Sequence, residues 1–150
     1  MKVYIGADHA GFELKQAIIS HLKAAGHDVV DVGAQSLEHE DDYPMYAYGV
    51  AVKVLGEEDS AQAHGVLICG SGQGMSIAAN RVRGIRAALA WSLESAKTAK
   101  RDDNANVLVL PSKFIDEDEA VAAVDAWLKA TFDADPKYQR RLDQIEELYG

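Results

Sequence analysis

The chain has 150 residues, 48% of them hydrophobic and 26% charged, and carries a formal net charge of −9. Its length predicts one domain over residues 1–150, its acidity argues against nucleic acid as a partner, and its single cysteine, Cys69, rules out an internal disulfide and fits a reducing cytoplasm. No apolar run is long enough to cross a membrane, and Met1-Lys2 leads straight into a short strand with no sign of a signal peptide.

Strand and helix signals alternate from end to end, without internal repeats or low-complexity stretches. Val3-Tyr4-Ile5 predicts a short apolar strand, followed by Gly6-Ala7-Asp8-His9-Ala10-Gly11. Leu14, Ile18, Leu22 and Ala25 recur at helical spacing, and Gly26 stops that helix. Val29 to Val32 is a second strand and Gln35 to Asp42 an acidic loop. Pro44 opens a helix to about Leu55 with Tyr46, Ala47, Val50 and Val54 on one side. Val66 to Cys69 is the third strand and Ile85 to Ala90 the fourth. Ser92, with Ser95 three residues on, caps the next helix, and Val107 to Leu110 is the fifth strand.

Ala120, Val121, Val124, Trp127 and Leu128 mark a further helix, whose acidic first turn (Asp116 to Glu119) suits the helix dipole. A last helix takes Asp135 as cap and Pro136 at its first position, and is expected to bury Tyr138, Leu142 and Ile145. Near-continuous apolar strands alternating with helices imply an α/β fold: a Rossmann-like three-layer sandwich, with about five parallel strands and helices on both faces. Ligands of such sheets bind at the carboxyl ends of the strands, where Asp8, His9 and the segment after Cys69 lie.

Cys69-Gly70-Ser71-Gly72-Gln73-Gly74 is the most informative segment. No Gly-Lys-Ser/Thr closes it, so it is not a phosphate loop of the nucleotide-hydrolase type. Its third glycine comes too early for a dinucleotide fingerprint, and Ala90-Trp91-Ser92 stand where a ribose-binding acid belongs. A turn of this kind aims several N–H groups at one point, which suits an anion. A thiol placed there is expected to ionise more readily than a free cysteine; the plain alternative is a small buried hydrophobe at a strand end. Asp8-His9 either caps a helix or holds hydroxyls and phosphate at the same sheet edge. Tyr46 either belongs to the core or presents its hydroxyl to the site. Lys137, Arg140 and Arg141 lie in the first two turns of the last helix, where the dipole disfavours cations. They form either a solvated cluster or, with Lys113, an anion site. His21, His27, His39 and His64 read as surface or structural residues, with no metal-site spacing.

The chain resembles the type B ribose-5-phosphate isomerases, which share a fold with galactose-6-phosphate isomerase subunits. The carrying motifs are Asp8-His9-Ala10-Gly11-Phe12, Asp42-Tyr43-Pro44, the Cys69 to Gly74 run with Ser76-Ile77-Ala78-Ala79-Asn80, Gly84-Ile85-Arg86-Ala87, Asn104-Ala105-Asn106-Val107-Leu108 and Gln139-Arg140-Arg141. They follow family order over nearly the whole length. The resemblance implies a cofactor-free, metal-free aldose–ketose isomerase of the pentose phosphate type. Cys69 would carry a proton between C1 and C2 through an enediolate. Gly70, Ser71, Gly72, Gln73 and Gly74 would stabilise the oxyanion. Asp8 and Ser71 would hold or shuttle hydroxyl protons, and His9, Lys113, Lys137 and Arg141 would hold the phosphate.

Three departures stand out. Asp102-Asp103 occupy the place of a usual histidine and asparagine, and that histidine opens the furanose ring. Asp102 is a weak substitute, since a carboxyl near pKa ~4 is ionised at neutral pH unless burial raises it. Lys113 and Lys137 replace arginines, giving point charges in place of bidentate forks, and Tyr138 replaces a histidine. The reading is therefore ribose 5-phosphate isomerisation. Its alternatives are a tetrose 4-phosphate, which needs no ring opening, a hexose 6-phosphate, or a sugar-phosphate-binding module without catalysis.

Asp102 and Asp103 precede the fifth strand, whereas Cys69 ends the third. A five-residue strand spans ~17 Å, so one chain can hardly bring both to one substrate. A two-fold dimer in which a neighbour supplies Asp102 and Asp103 would solve this. The resemblance also implies a homodimer with sites at the interface, sometimes paired into tetramers, and the helix at about 136–149 is expected to contribute to that interface.

Overall fold

The computed structural model describes residues 1–150. In chain order the elements are β1 (Lys2–Ala7), a 3-10 turn (His9–Gly11), α1 (Phe12–Ala24), β2 (Asp28–Gly33), α2 (Pro44–Leu55), β3 (Ala63–Cys69), α3 (Gln73–Ala79), β4 (Ala87–Leu89), α4 (Leu93–Asp103), β5 (Val107–Pro111), α5 (Glu117–Lys129) and α6 (Pro136–Tyr149). All strand pairings are parallel, in the order β2-β1-β3-β5-β4. Residues of β3 and β5 are buried without exception, because helices cover both faces.

The two faces carry separate cores. On one side Ile18 and Leu22 of α1, Ala96 of α4, and Val124 and Trp127 of α5 pack on Val3, Ile5, Val66, Ile68 and Leu108. On the other, Ala47, Val50 and Val54 of α2 and Met75 and Ala79 of α3 pack on Leu67, Cys69, Val107 and Val109. Successive residues of the central strands thus face opposite cores, and the three-layer expectation holds. The expected caps also form. Ser92 and Ser95 make a reciprocal capping box, Asp116 accepts the Glu119 N–H at 2.8 Å, and Asp135 accepts the Lys137 N–H at 3.0 Å. His64 is buried edge-on to Trp127, and burial pushes it down to about 4, which makes it a neutral core histidine.

Three sequence expectations need correction. The fourth strand starts later than Ile85, because the Ile85 N–H turns back to the Val82 carbonyl and the Asn106 side chain takes the Arg86 N–H. Ala25 lies past the end of α1 and is exposed. In α6 only Leu142 is buried; Tyr138 is half-buried and Ile145 is 45% exposed. The cause is geometric: α6 packs on α4 at the rim and has no second layer over its apolar face within the chain. No helix is long and apolar enough to cross a membrane.

Candidate active site

The order of strand addition reverses between β1 and β3: β2 lies outside β1 on one side, and the later strands lie beyond β3 on the other. Ligands of open α/β sheets bind in the crevice at such a switch point. Ala7 pairs in register with Ile68, so the next residues, Asp8 and Cys69, emerge side by side at the carboxyl edge. Asp8 is buried, and its Oδ1 accepts the N–H groups of Ala10 at 3.0 Å and Gly11 at 3.2 Å. The turn lies directly on β3: a Cβ at Gly11 would stand 2.6 Å from the Ile68 carbonyl oxygen, so only glycine fits. Asp8 thus fulfils the capping alternative and also places its charge beside Cys69.

Cys69 is 5% exposed. The main-chain N–H groups of Met75, Gly72 and Ser71 face its sulfur and favour the thiolate, but burial, the largest influence, and the Asp8 carboxylate push its pKa above the ordinary thiol value. The expectation of easier ionisation is therefore corrected: the turn has the expected donors, but desolvation outweighs them. Gly72 adopts φ 74° at the start of α3, a conformation open to glycine, and a Cβ there would run into Leu89. The Gln73 N–H reaches the Ser71 hydroxyl at 3.3 Å.

Two side chains close over the turn. The Lys113 stem lies on Gly70, its Cε 3.1 Å from where a Cβ would be, and the Tyr43 ring lies against Gly74. Ser112, which sequence reasoning missed, knits the strand ends: its hydroxyl donates to the Ala10 carbonyl at 2.7 Å, and its N–H to the Cys69 carbonyl at 2.9 Å.

Asp41 was legible only as part of an acidic loop, yet it joins two predicted residues. It accepts the His9 main-chain N–H at 2.9 Å, pairs with His9 Nδ1 at 2.8 Å, and accepts the Tyr46 hydroxyl at 3.0 Å. The His9 bonds hold the Asp41 carboxyl below its ordinary value despite burial, and Asp41 in turn raises that of His9. Fully buried Lys15 steadies the start of this loop through an ion pair to Asp31 at 2.8 Å and a bond to the Ala34 carbonyl. Ligand atoms of Asp8, His9 and Asp41 lie within 4.8 Å of one another, the one grouping able to hold a metal. Both Asp41 oxygens and one Asp8 oxygen are already committed to hydrogen bonds.

The remaining predicted residues form a second group. Asp102 and Asp103 end α4, before β5 begins, while Cys69 pairs with Pro111 at the far end of β5. Arg101 donates to Asp102 at 2.7 and 3.1 Å and holds its carboxyl below the usual range, opposite to what a ring-opening acid needs. Asp103 is raised by burial and by Asp102. Lys137 and Arg141 flank the Tyr138 ring at 4.9 and 5.9 Å and lend positive potential to Asp102 and Asp103 respectively. One chain therefore gathers Asp8, His9, Tyr46, Cys69, the glycine turn and Lys113 at one end, and Asp102, Asp103, Lys137 and Arg141 at the other. No cavity of the chain is lined by Cys69; one of about 480 Å³ lies at the second group, between Asp103, Arg86, Leu142 and Tyr149.

Comparison with known proteins gives a consistent result. Residues 3–145 match the family described as Ribose/Galactose Isomerase. Ribose-5-phosphate isomerase B of Mycolicibacterium paratuberculosis is 44% identical over 98% of this chain and 91% of its own length. The crystal structure of ribose-5-phosphate isomerase B from Mycoplasma genitalium with bound ribulose-5-phosphate superposes with a TM-score of 0.92 at 43% identity, covering 97% of this chain and 94% of that one. The Thermotoga maritima ribose 5-phosphate isomerase gives 0.91 at 43% identity, covering 98% of both chains.

Proposed function

The chain belongs to the ribose/galactose isomerase family, and from that premise we propose that it interconverts ribose 5-phosphate and ribulose 5-phosphate through an enediolate, using Cys69 as the C1/C2 proton carrier. The observation that carries this reading is the thiol at the β1/β3 switch point, set among the N–H groups of Ser71, Gly72 and Met75. A thiolate takes the C2 proton of the open-chain aldose and returns it to C1. Negative charge collects meanwhile on the substrate oxygens, where preorganised N–H donors stabilise it without reorganising. Asp8 and Ser71 hold the hydroxyls; His9 and Lys113 grip the phosphate. Five carbons are favoured over four or six by the ribulose-5-phosphate in the Mycoplasma relative.

Ring opening needs a proton on the ring oxygen. Asp103 holds a proton more readily than Asp102, which Arg101 keeps ionised. Both lie a strand length from Cys69, as do Lys137 and Arg141. A two-fold homodimer completes the site by bringing the second group of one chain to the first group of its partner. Exposed Ile145, Leu148 and Tyr149 on α6 give that assembly an apolar face to bury. The protein would work in the cytoplasm, where its lone thiol stays reduced.

Turnover in D2O tests the chemistry. Ribose 5-phosphate should gain deuterium at C1 or C2 with the wild type. Cys69→Ala should lose turnover and exchange by at least about 10³-fold while still binding inorganic phosphate. Turnover retained in that variant, or faster conversion of a tetrose or hexose phosphate than of the pentose, would sink the assignment.

A further inference from the structure

One carboxylate serves two of the side chains assigned to substrate binding. Oδ1 of Asp41 meets both the main-chain N–H and ring Nδ1 of His9, and Oδ2 takes the Tyr46 hydroxyl. Asp41 is 10% exposed and His9 38%, so the carboxylate forms the floor and the ring faces outward. With Nδ1 donating to Asp41, a neutral ring presents only a lone pair at Nε2, which repels a phosphate oxygen; the imidazolium presents an N–H there instead. A carboxylate on Nδ1 favours the imidazolium.

We propose that Asp41 is a positioning residue for the substrate phosphate: its bonds to the main-chain N–H and Nδ1 of His9 turn Nε2 toward the phosphoryl group, and its bond from the Tyr46 hydroxyl fixes that ring beside it. This rests on the reading of His9 and Lys113 as phosphate anchors. Among the anchors at this end of the sheet Lys113 supplies a point charge with no fork geometry, so on this side of the phosphate the direction of the His9 donor carries the orientation. The charged groups around His9 agree. The Asp41 hydrogen bond is the largest influence and raises its basicity, and Asp8 adds to it, while burial and Lys113 oppose. His9 is raised above the ordinary histidine value, so its grip is present at lower pH and lost as pH climbs through the raised value. Removing Asp41 moves that loss to lower pH.

The test is Asp41→Asn, with Asp41→Glu as the conservative rescue. Two readouts are followed across pH 6–9: the His9 ring titration by NMR, and KM and kcat for ribose 5-phosphate. In Asp41→Asn the His9 midpoint falls and KM at pH 7.5 rises about tenfold, with kcat changing less than about twofold; Asp41→Glu recovers part of both. An unmoved His9 midpoint overturns the inference, even if KM rises at every pH. So does a lowered midpoint with a wild-type KM profile. Lys113→Ala, run alongside, separates the two failures. If it raises KM where Asp41→Asn does not, the phosphate reading stands and the role of Asp41 falls. If neither variant moves KM, the phosphate reading falls as well.

Discussion

At Cys69, three main-chain donors pull the thiol toward its anion while burial and the Asp8 carboxylate push the other way, and the push prevails. The free protein should therefore resist alkylation at neutral pH. The iodoacetamide rate should climb only above the ordinary thiol range, and a midpoint below that of free cysteine would contradict this. Substrate closes the gap if its oxygens share the donors and its carbon acid is held against the sulfur, so that proton transfer occurs in a desolvated pair. The motif was legible because its residues are consecutive. The sign of the shift was not, because desolvation depends on what the rest of the chain packs around the sulfur. Asp41 was illegible for the same reason: its partner His9 lies 32 positions away, and no local pattern selects it from its acidic neighbours.

Among the elements, the tight seat of the 3-10 turn on β3 is what sets Asp8 beside Cys69. Gly11→Ala forces a methyl against the Ile68 carbonyl. The expected cost is about 1–3 kcal/mol of stability, read by denaturant unfolding, together with a fall in kcat as Asp8 is displaced. Stability within about 0.5 kcal/mol of wild type would show that the turn can give way. Helices α1, α2 and α5 and the central strands were legible, since each carries a strong periodicity or a buried apolar run, and α4 was legible through its Ser92/Ser95 cap. The edge was less so: β4 is shorter than its apolar pattern because Asn106 and a turn at Ile85 claim main-chain groups first. In α6 the apolar stripe is real, but within one chain it has little to pack against.

At the scale of the molecule, the split of the site between the two ends of the sheet leads to one decisive experiment. In a composite dimer, Cys69→Ala and Arg141→Ala are each inactive, but a hybrid of the two has one complete site. Co-refolding the two inactive variants should restore about a quarter of wild-type activity, because half of a random mixture is hybrid and each hybrid has one good site of two. No recovery, with hybrid dimers verified by mass, would place the full site within one chain. The net charge of −9 sharpens the point, since a sugar phosphate must reach its cations against a repulsive background.

The sequence by itself determined the α/β alternation, the glycine turn behind the thiol and membership of the family. These depend on periodicity along the chain and on residue types at short spacing, which survive without coordinates. Only the tertiary structure decided that Asp41 backs His9, that Ser112 ties three strand ends together, that the thiol is held protonated, and that Asp102 is held ionised by Arg101. Each of these is an electrostatic balance between groups brought together by folding, and its outcome turns on burial and on distances of a few ångströms that no linear pattern encodes.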